Sequence, residues 1–236
     1  ILRCLVGSEM CIRDSFNTKP ADQTCKGMEL IINDSIDHGF ITQKEVLRLL
    51  NSKKLSPIGK KMGDINTRLL EDELSKHPLI ENVECYRTPG RKIGIEVTQR
   101  LPLLRVMAAN GDNYYIDSKG KVMPIPNSSA HVAVVTGSVD RDFATKELYK
   151  LGIFLQNHPL WEAQIEQINV TPAKELELVP RVGEHIIFLG KPGDYEEKFE
   201  RLKIFYKKGL NQVGWNKYSR ISLEFSNQII CTKKEK

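Results

Sequence analysis

No stretch of this 236-residue sequence approaches the roughly 20 consecutive apolar residues that a membrane-spanning helix needs. Its opening, ILRCLVGSEMCIRDS, also fails as a secretory signal. Arg3, Gly7-Ser8-Glu9 and Arg13-Asp14 break up the apolar run of roughly 7–15 residues that such a signal requires. Cysteine is scarce. Cys4 and Cys11 are separated by six residues and have no second pair at zinc-type spacing, which excludes a structural zinc site of the common kinds. Cys25, Cys85 and Cys231 remain, too few and too far apart for a disulfide framework, and they are read as free thiols. The net charge is +5, but Lys and Arg alternate with Asp and Glu, and no basic block precedes the tail Lys233-Lys234-Glu235-Lys236. A nucleic-acid surface would need clustered cations with aromatics between them, so none is expected. There is no Gly-rich phosphate loop, no G-x-S-x-G and no H-E-x-x-H, and the histidines His38, His77, His131, His158 and His185 stand singly. No enzyme, cofactor, metal or small-molecule substrate is expected.

The string CLVGSEMCIRDS resembles a translated sequencing-adapter read-through, so residues 1–15 are read as a non-native prefix, with the native start before Phe16 missing. Residues 16–26 are polar, contain Pro20 and read as a linker. With 40% hydrophobic and 28% charged residues, the rest suits one large or two small globular domains.

Met28, Leu30 and Ile32 have the period-two spacing of a strand, and Asp37-His38-Gly39 reads as a turn. Thr42-Gln43-Lys44-Glu45 is a capping box opening a helix with Val46, Leu47, Leu49 and Leu50 on its apolar face. Asp64 or Asn66 caps a second helix carrying Leu69, Leu70 and Leu74, which Pro78 stops. A hairpin follows, with Pro89-Gly90 placed for a type II turn and Ile93, Ile95 and Val97 alternating in its second arm. Residues 27–99 thus read strand, helix, helix, strand, strand, an α+β layer pair.

From residue 100 to 231 the pattern is β-rich, mixed and mainly antiparallel, with two helices. Asn110-Gly111-Asp112 is a hairpin turn, and Asp117 initiates another rather than acting as a nucleophile. A helix over 142–158 carries Leu148, Leu151 and Leu155 and stops at His158-Pro159, as the earlier helix stops at His77-Pro78, with a strand expected after each; both histidines read as C-terminal caps. Asp194 caps a second helix with the stripe Tyr195, Phe199, Leu202 and Tyr206 and the pair Glu197–Arg201, which leaves through Gly209 and Gly214. Ile221, Leu223 and Phe225 alternate in a last strand, and residues 232–236 are a basic tail.

The unit over 27–99 resembles a POTRA domain. The string INTRLLEDELSKHPLIENVECYRTPGRKIGIEVTQRLPLLRV, followed by YYIDSKGKVMPI, resembles the FtsQ/DivIB family of bacterial divisome proteins. Pro78, Val83, Ile95, Val97, Arg100, Pro102, Asp117 and Gly120 stand at that family's motif positions, and Gln99 replaces its usual glutamate. The likeness runs on through NKYSRISLEFSNQIICTKK. It implies a non-catalytic scaffold of cell division at the cytoplasmic (inner) membrane. Such a protein is bitopic: a membrane helix upstream, a juxtamembrane linker, and a POTRA domain and a β domain in the periplasm that bind FtsB and FtsL. The competing reading is a POTRA module of an outer-membrane assembly or secretion system. That would show repeated units and ten-residue barrel strands, which this sequence lacks. A stand-alone periplasmic enzyme would show a pocket with convergent polar groups.

The resemblance places the partner site on the last strand, Arg220, Ile221, Ser222, Leu223, Glu224, Phe225, Ser226 and Asn227, continuing toward Ile230. FtsB would add a strand to it. Ser222, Glu224 and Ser226 are expected to face the partner, with Leu223 and Phe225 pointing inward. Glu224-Phe225 stand where the family usually has an arginine–tyrosine pair, so the partner should offer a basic residue there.

Overall fold

The computed structural model describes residues 20–33, 40–126 and 129–234. The prefix 1–15, the first part of the linker, the Asp37-His38-Gly39 turn and the last two residues lie outside them. The chain divides into two compact units between Gln99 and Arg100.

The first unit contains β1 (Gly27–Asn33), α1 (Gln43–Ser52), α2 (Thr67–Leu74), β2 (Ile80–Arg87) and β3 (Lys92–Gln99). Its sheet order is β1-β3-β2, with β3 parallel to β1 and antiparallel to β2. The registers Leu30↔Ile95, Ile32↔Val97 and Val83↔Val97 align the apolar side chains on one face. The α1 and α2 residues Val46, Leu50, Leu70 and Leu74 cover that face. The capping box is formed: the Glu45 N–H donates to Thr42 Oγ1 (3.3 Å), and the Thr42 N–H donates to Glu45 Oε2 (2.8 Å). Asn66, not Asp64, caps α2 by accepting the Leu69 N–H at 3.1 Å. In the hairpin the left-handed residue is Arg91 (φ 59°) rather than Gly90, so the turn is not of type II. The buried Gln99 side chain accepts the Phe40 and Ile41 N–H groups at 2.6 and 2.9 Å, tying the entry of α1 to β3.

The second unit opens with β4 (Pro102–Ala108), β5 (Asn113–Asp117), β6 (Val122–Met123) and β7 (Ala133–Gly137). Next comes α3, built from Arg141–Phe143, a wide turn Ala144–Leu148 and Tyr149–Gln156. Then follow α4 (Pro159–Gln164), β8 (Ile165–Val170), β9 (Leu176–Pro180) and β10 (Ile186–Gly190). The helix α5 comprises Tyr195–Phe205, a wide turn Tyr206–Leu210 and Asn211–Val213, and β11 (Tyr218–Ser222) and β12 (Ile230–Lys233) close the unit. These strands form one nine-stranded sheet, β12-β11-β10-β9-β8-β7-β4-β5-β6, with parallel pairs at β10–β11, β7–β8 and β4–β7.

Register aligns Tyr114, Val106, Val135, Ile168, Leu178, Ile187, Ile221 and Cys231 in one row across eight strands. All but Cys231, on the outermost strand, are buried, and Leu148, Leu151, Trp161, Phe199 and Leu202 join them in one core.

Several sequence expectations are corrected here. The second His-Pro does not lead straight into a strand. Pro159 occupies the first turn of α4, where its missing N–H costs nothing, so the unit has three helices among its described residues. His158 does cap α3: its Nδ1 lies 2.7 Å from the Phe154 carbonyl. Asp194 is left-handed (φ 52°) and makes no side-chain cap bond. Gly209 does not end α5, which continues to Gly214 (φ 96°).

Candidate partner-binding edge

The expected last strand ends early. β11 stops at Ser222, the chain turns through 223–229, and β12 runs back antiparallel to it. Ile221 is flanked by Ile187 of β10 and Cys231 of β12, so β11 offers no free edge. The sheet's outer strand is β12.

Arg201 of α5 supplies a physical reason for the turn. Its guanidinium donates to the carbonyls of Leu223 (3.2 Å), Gln228 (3.4 Å) and Phe225, and pairs with Glu197 at 3.8 Å. Collecting three carbonyls around one cation folds the segment back on itself. Ser226 and Asn227, both exposed, are residue types that tolerate turns.

The residues expected to form the site therefore separate. Ile221 and Leu223 are buried in the core. Arg220 is held across the sheet, 2.9 Å from Glu177 and stacked 4.3 Å over the Phe188 ring. Ser222 pairs with Ile230. Glu224, Phe225, Ser226 and Asn227 lie exposed in the turn, and Phe225, expected to point inward, is 48% exposed. The alternation through Phe225 concealed β12. The run Ile229-Ile230-Cys231-Thr232, rich in β-formers and following a turn-prone Ser-Asn, is the sequence signal for β12.

Beside the turn lies a groove of about 450 Å³, lined by Ile204, Phe205, Lys208 and Gly209 of α5, by Arg201, and by Asn227, Gln228 and Ile229. Ile204 is exposed and adds apolar surface, while Arg201 and Lys208 make its rim basic.

The two sheets have four edges, and β12 differs from the others. On β1, Gln43 Nε2 donates to the Leu30 carbonyl (3.1 Å). On β2, Glu71 accepts the Cys85 N–H (2.8 Å). On β6, Arg100 donates to the Val122 carbonyl (3.1 Å). Side chains thus occupy backbone groups at three edges, one of the ways proteins blunt a strand edge. Among the described residues no side chain caps the outer backbone of β12. The Lys234 N–H donates inward to Lys217 (3.1 Å), so strand alternation turns the N–H groups of Cys231 and Lys233 outward.

Elsewhere several polar groups hold the fold together. Asp117 accepts the N–H groups of Lys119 (3.0 Å) and Lys121 (2.7 Å) and pairs with Arg100 at 2.7 Å, fixing the turn into β6. His185 is buried, with Nε2 2.8 Å from the Tyr206 hydroxyl, and burial pushes its pKa down. Cys25, Cys85 and Cys231 are free thiols, and burial pushes Cys85 up to about 12. No group of three or more His, Cys, Asp or Glu side chains could hold a metal among the described residues.

Comparison with known families agrees with this architecture. The profile described as FtsQ/DivIB, C-terminal related, matches residues 101–232, and a POTRA-like domain matches residues 23–98. The chain belongs to the FtsQ/DivIB family. Curated relatives include the cell division protein FtsQ of Geotalea daltonii, 25% identical over 187 residues that cover 74% of this chain and 66% of the relative. FtsQ of Rhodothermus marinus is 25% identical over 196 residues, covering 73% and 67%. FtsQ of Myxococcus fulvus is 27% identical over 171 residues, covering 67% and 57%. The chain thus spans about two thirds or less of the length of these FtsQ relatives.

Proposed function

We propose that this chain is the extracytoplasmic part of a non-enzymatic cell-division scaffold. It binds FtsB, and FtsL with it, by strand addition along the outer edge of β12. Family membership and FtsQ relatives support the division role. The observation that carries the binding mode is the contrast between edges: β1, β2 and β6 are stoppered by side chains, and among the described residues β12 is not. An added strand would take its register from the backbone of Cys231 and Lys233. The groove beside Ile204 and Ile229 would accept an apolar side chain of the partner, and its basic rim favours an acidic neighbour. Glu224 and Phe225 lie exposed in the turn leading to β12, and Glu224 calls for a basic partner residue. No helix among the described residues is long and apolar enough to cross a bilayer; in this reading the membrane anchor is the upstream helix that the FtsQ/DivIB resemblance implies.

The test replaces Lys233 with proline. Proline removes an outward N–H that makes no bond to β11 and suits an extended conformation. FtsB from the same genome should bind the variant at least tenfold more weakly, with unchanged thermal unfolding. Unchanged affinity would move the site off this edge.

A further inference from the structure

We propose that one end of the first unit is a docking surface for an anionic phospholipid bilayer. Three segments meet there. The Cys25 N–H donates to the Lys60 carbonyl and the Met62 N–H to the Gln23 carbonyl, each at 2.8 Å, joining residues 20–26 to the loop between α1 and α2. The Lys26 N–H donates to the Arg91 carbonyl at 2.8 Å, adding the β2–β3 hairpin.

The loop carries a tight turn, Pro57-Ile58-Gly59-Lys60, closed by the Lys60 N–H on the Pro57 carbonyl (3.1 Å). Gly59 sits at φ 81°, and its N–H is fixed on the Cys25 carbonyl at 3.0 Å. Ile58 therefore occupies a rigid apex, 54% exposed. The segments that meet here are rich in cations. Lys53, Lys61 and Lys92 are compensated by Glu73 (3.9 Å), Asp22 (3.8 Å) and Glu29 (2.7 Å). Lys26, Lys54, Lys60 and Arg91 form no ion pair with any carboxylate among the described residues. Arg87 and Arg91 line an adjacent groove of about 460 Å³ with Gln23 and Met62. The Arg87 guanidinium is anchored on the Ile65 carbonyl at 2.9 Å, and Arg87 is exposed. Asp64, also exposed, flanks this loop and forms no ion pair among the described residues.

A displayed aliphatic residue among uncompensated lysines is the chemistry of a bilayer interface. The side chain enters the boundary between headgroups and acyl chains while the ammonium groups stay among the phosphates. The groove offers two arginines to a phosphate headgroup. Residues 20–26 run along this same end. If the chain is anchored upstream, as proposed above, the tether holds this surface against the bilayer, so a weak intrinsic affinity suffices. The anchoring clause rests on the proposed function; the surface chemistry does not.

The test uses the purified chain and vesicles of phosphatidylcholine alone or with about one third phosphatidylglycerol, at low and high salt. Binding should require the anionic lipid and vanish in 0.5 M salt, taken as about five times the ionic strength that already screens surface charges beyond ~10 Å. Lys26→Glu with Lys60→Glu should weaken it roughly thirtyfold or more, at about 1 kcal/mol per lost cation. Ile58→Ser should weaken it while leaving the salt dependence in place. All three positions are exposed, so thermal unfolding reports intact folding. No anionic preference overturns the proposal. Binding that survives both variants assigns lipid contact to other cations and also overturns it. Fractionation of the intact gene product reads the anchor separately, and these variants leave that result unchanged.

Discussion

Arg201 is the residue on which the geometry of the β12 edge depends, and removing it tests that dependence. Arg201→Ala deletes three hydrogen bonds from a cation to the carbonyls of Leu223, Phe225 and Gln228. A hydrogen bond to a charged group contributes about 1.5–3 kcal/mol when its loss leaves a buried partner unsatisfied. Phe225 and Gln228 are exposed, so their carbonyls regain water; Leu223 is buried and its carbonyl does not. The net cost should be about 1–2 kcal/mol, seen as a Tm lower by roughly 3–6 °C. The larger effect is local. The turn over 223–229 loses its pivot, so β12 frays without global unfolding, and its amides should exchange at least tenfold faster. Partner affinity should fall about tenfold, because the strand must then be ordered during binding. Arg201→Lys should fall between wild type and Arg201→Ala, since one ammonium cannot span three carbonyls as a planar fork does. Hydrogen exchange with mass spectrometry, paired with calorimetric titration of FtsB, reads both quantities. Unchanged β12 exchange and affinity within twofold in Arg201→Ala would refute the reasoning.

Stability should fall as pH drops. Burial lowers the folded-state pKa of His185, so the unfolded chain binds more protons below its usual value of about 6.5. The stability is fully present above that value and is lost progressively below it, until the folded-state pKa is passed. Urea midpoints at pH 7.5 and 5 should show the slope, and His185→Gln should flatten it without abolishing it, since burial also lowers His77. Gly137→Ala should cost about 2–4 kcal/mol or prevent folding, because φ is 92° and a Cβ would lie 2.2 Å from the Val170 carbonyl oxygen; denaturant titration checks it. Ile168→Ala, in the middle of the buried row across the large sheet, should cost about 2–5 kcal/mol by the same measurement. Cys85, buried and pushed up to about 12, should react with an alkylating reagent far more slowly than partly exposed Cys231 in the native protein.

The first unit was legible because its determinants are local. Thr42 and Glu45 lie three residues apart and form the predicted capping box; Met28, Leu30 and Ile32 alternate along β1, and the structure packs all three against the core. The same locality misled where two local signals compete. Pro89-Gly90 suits a type II turn, yet the hairpin puts the left-handed residue at Arg91, where the Thr88 N–H bonds the Lys92 carbonyl at 2.9 Å. Pro159 is both a helix stop for α3 and a good first residue for α4, and the chain uses both properties.

The partner edge failed for a different reason: its boundary is set at long range. From Arg220 to Phe225 the sequence alternates as a strand should, and nothing within that window says that it ends at Ser222. The stop comes from Arg201, more than twenty positions earlier, whose sequence role was exhausted by its helical partner Glu197. Once that side chain gathers the carbonyls of Leu223, Phe225 and Gln228, the chain has to reverse. Ile229 and Ile230 then read as the start of a new strand rather than the tail of the old one. An edge placed this way can be left without side-chain stoppers, because its position is fixed from outside the strand. The residues that fix the edge and the residues that present it are thus different sets, and substitutions at Arg201 and Lys233 should separate them: the first loosens β12 and weakens binding, the second weakens binding with β12 still in place.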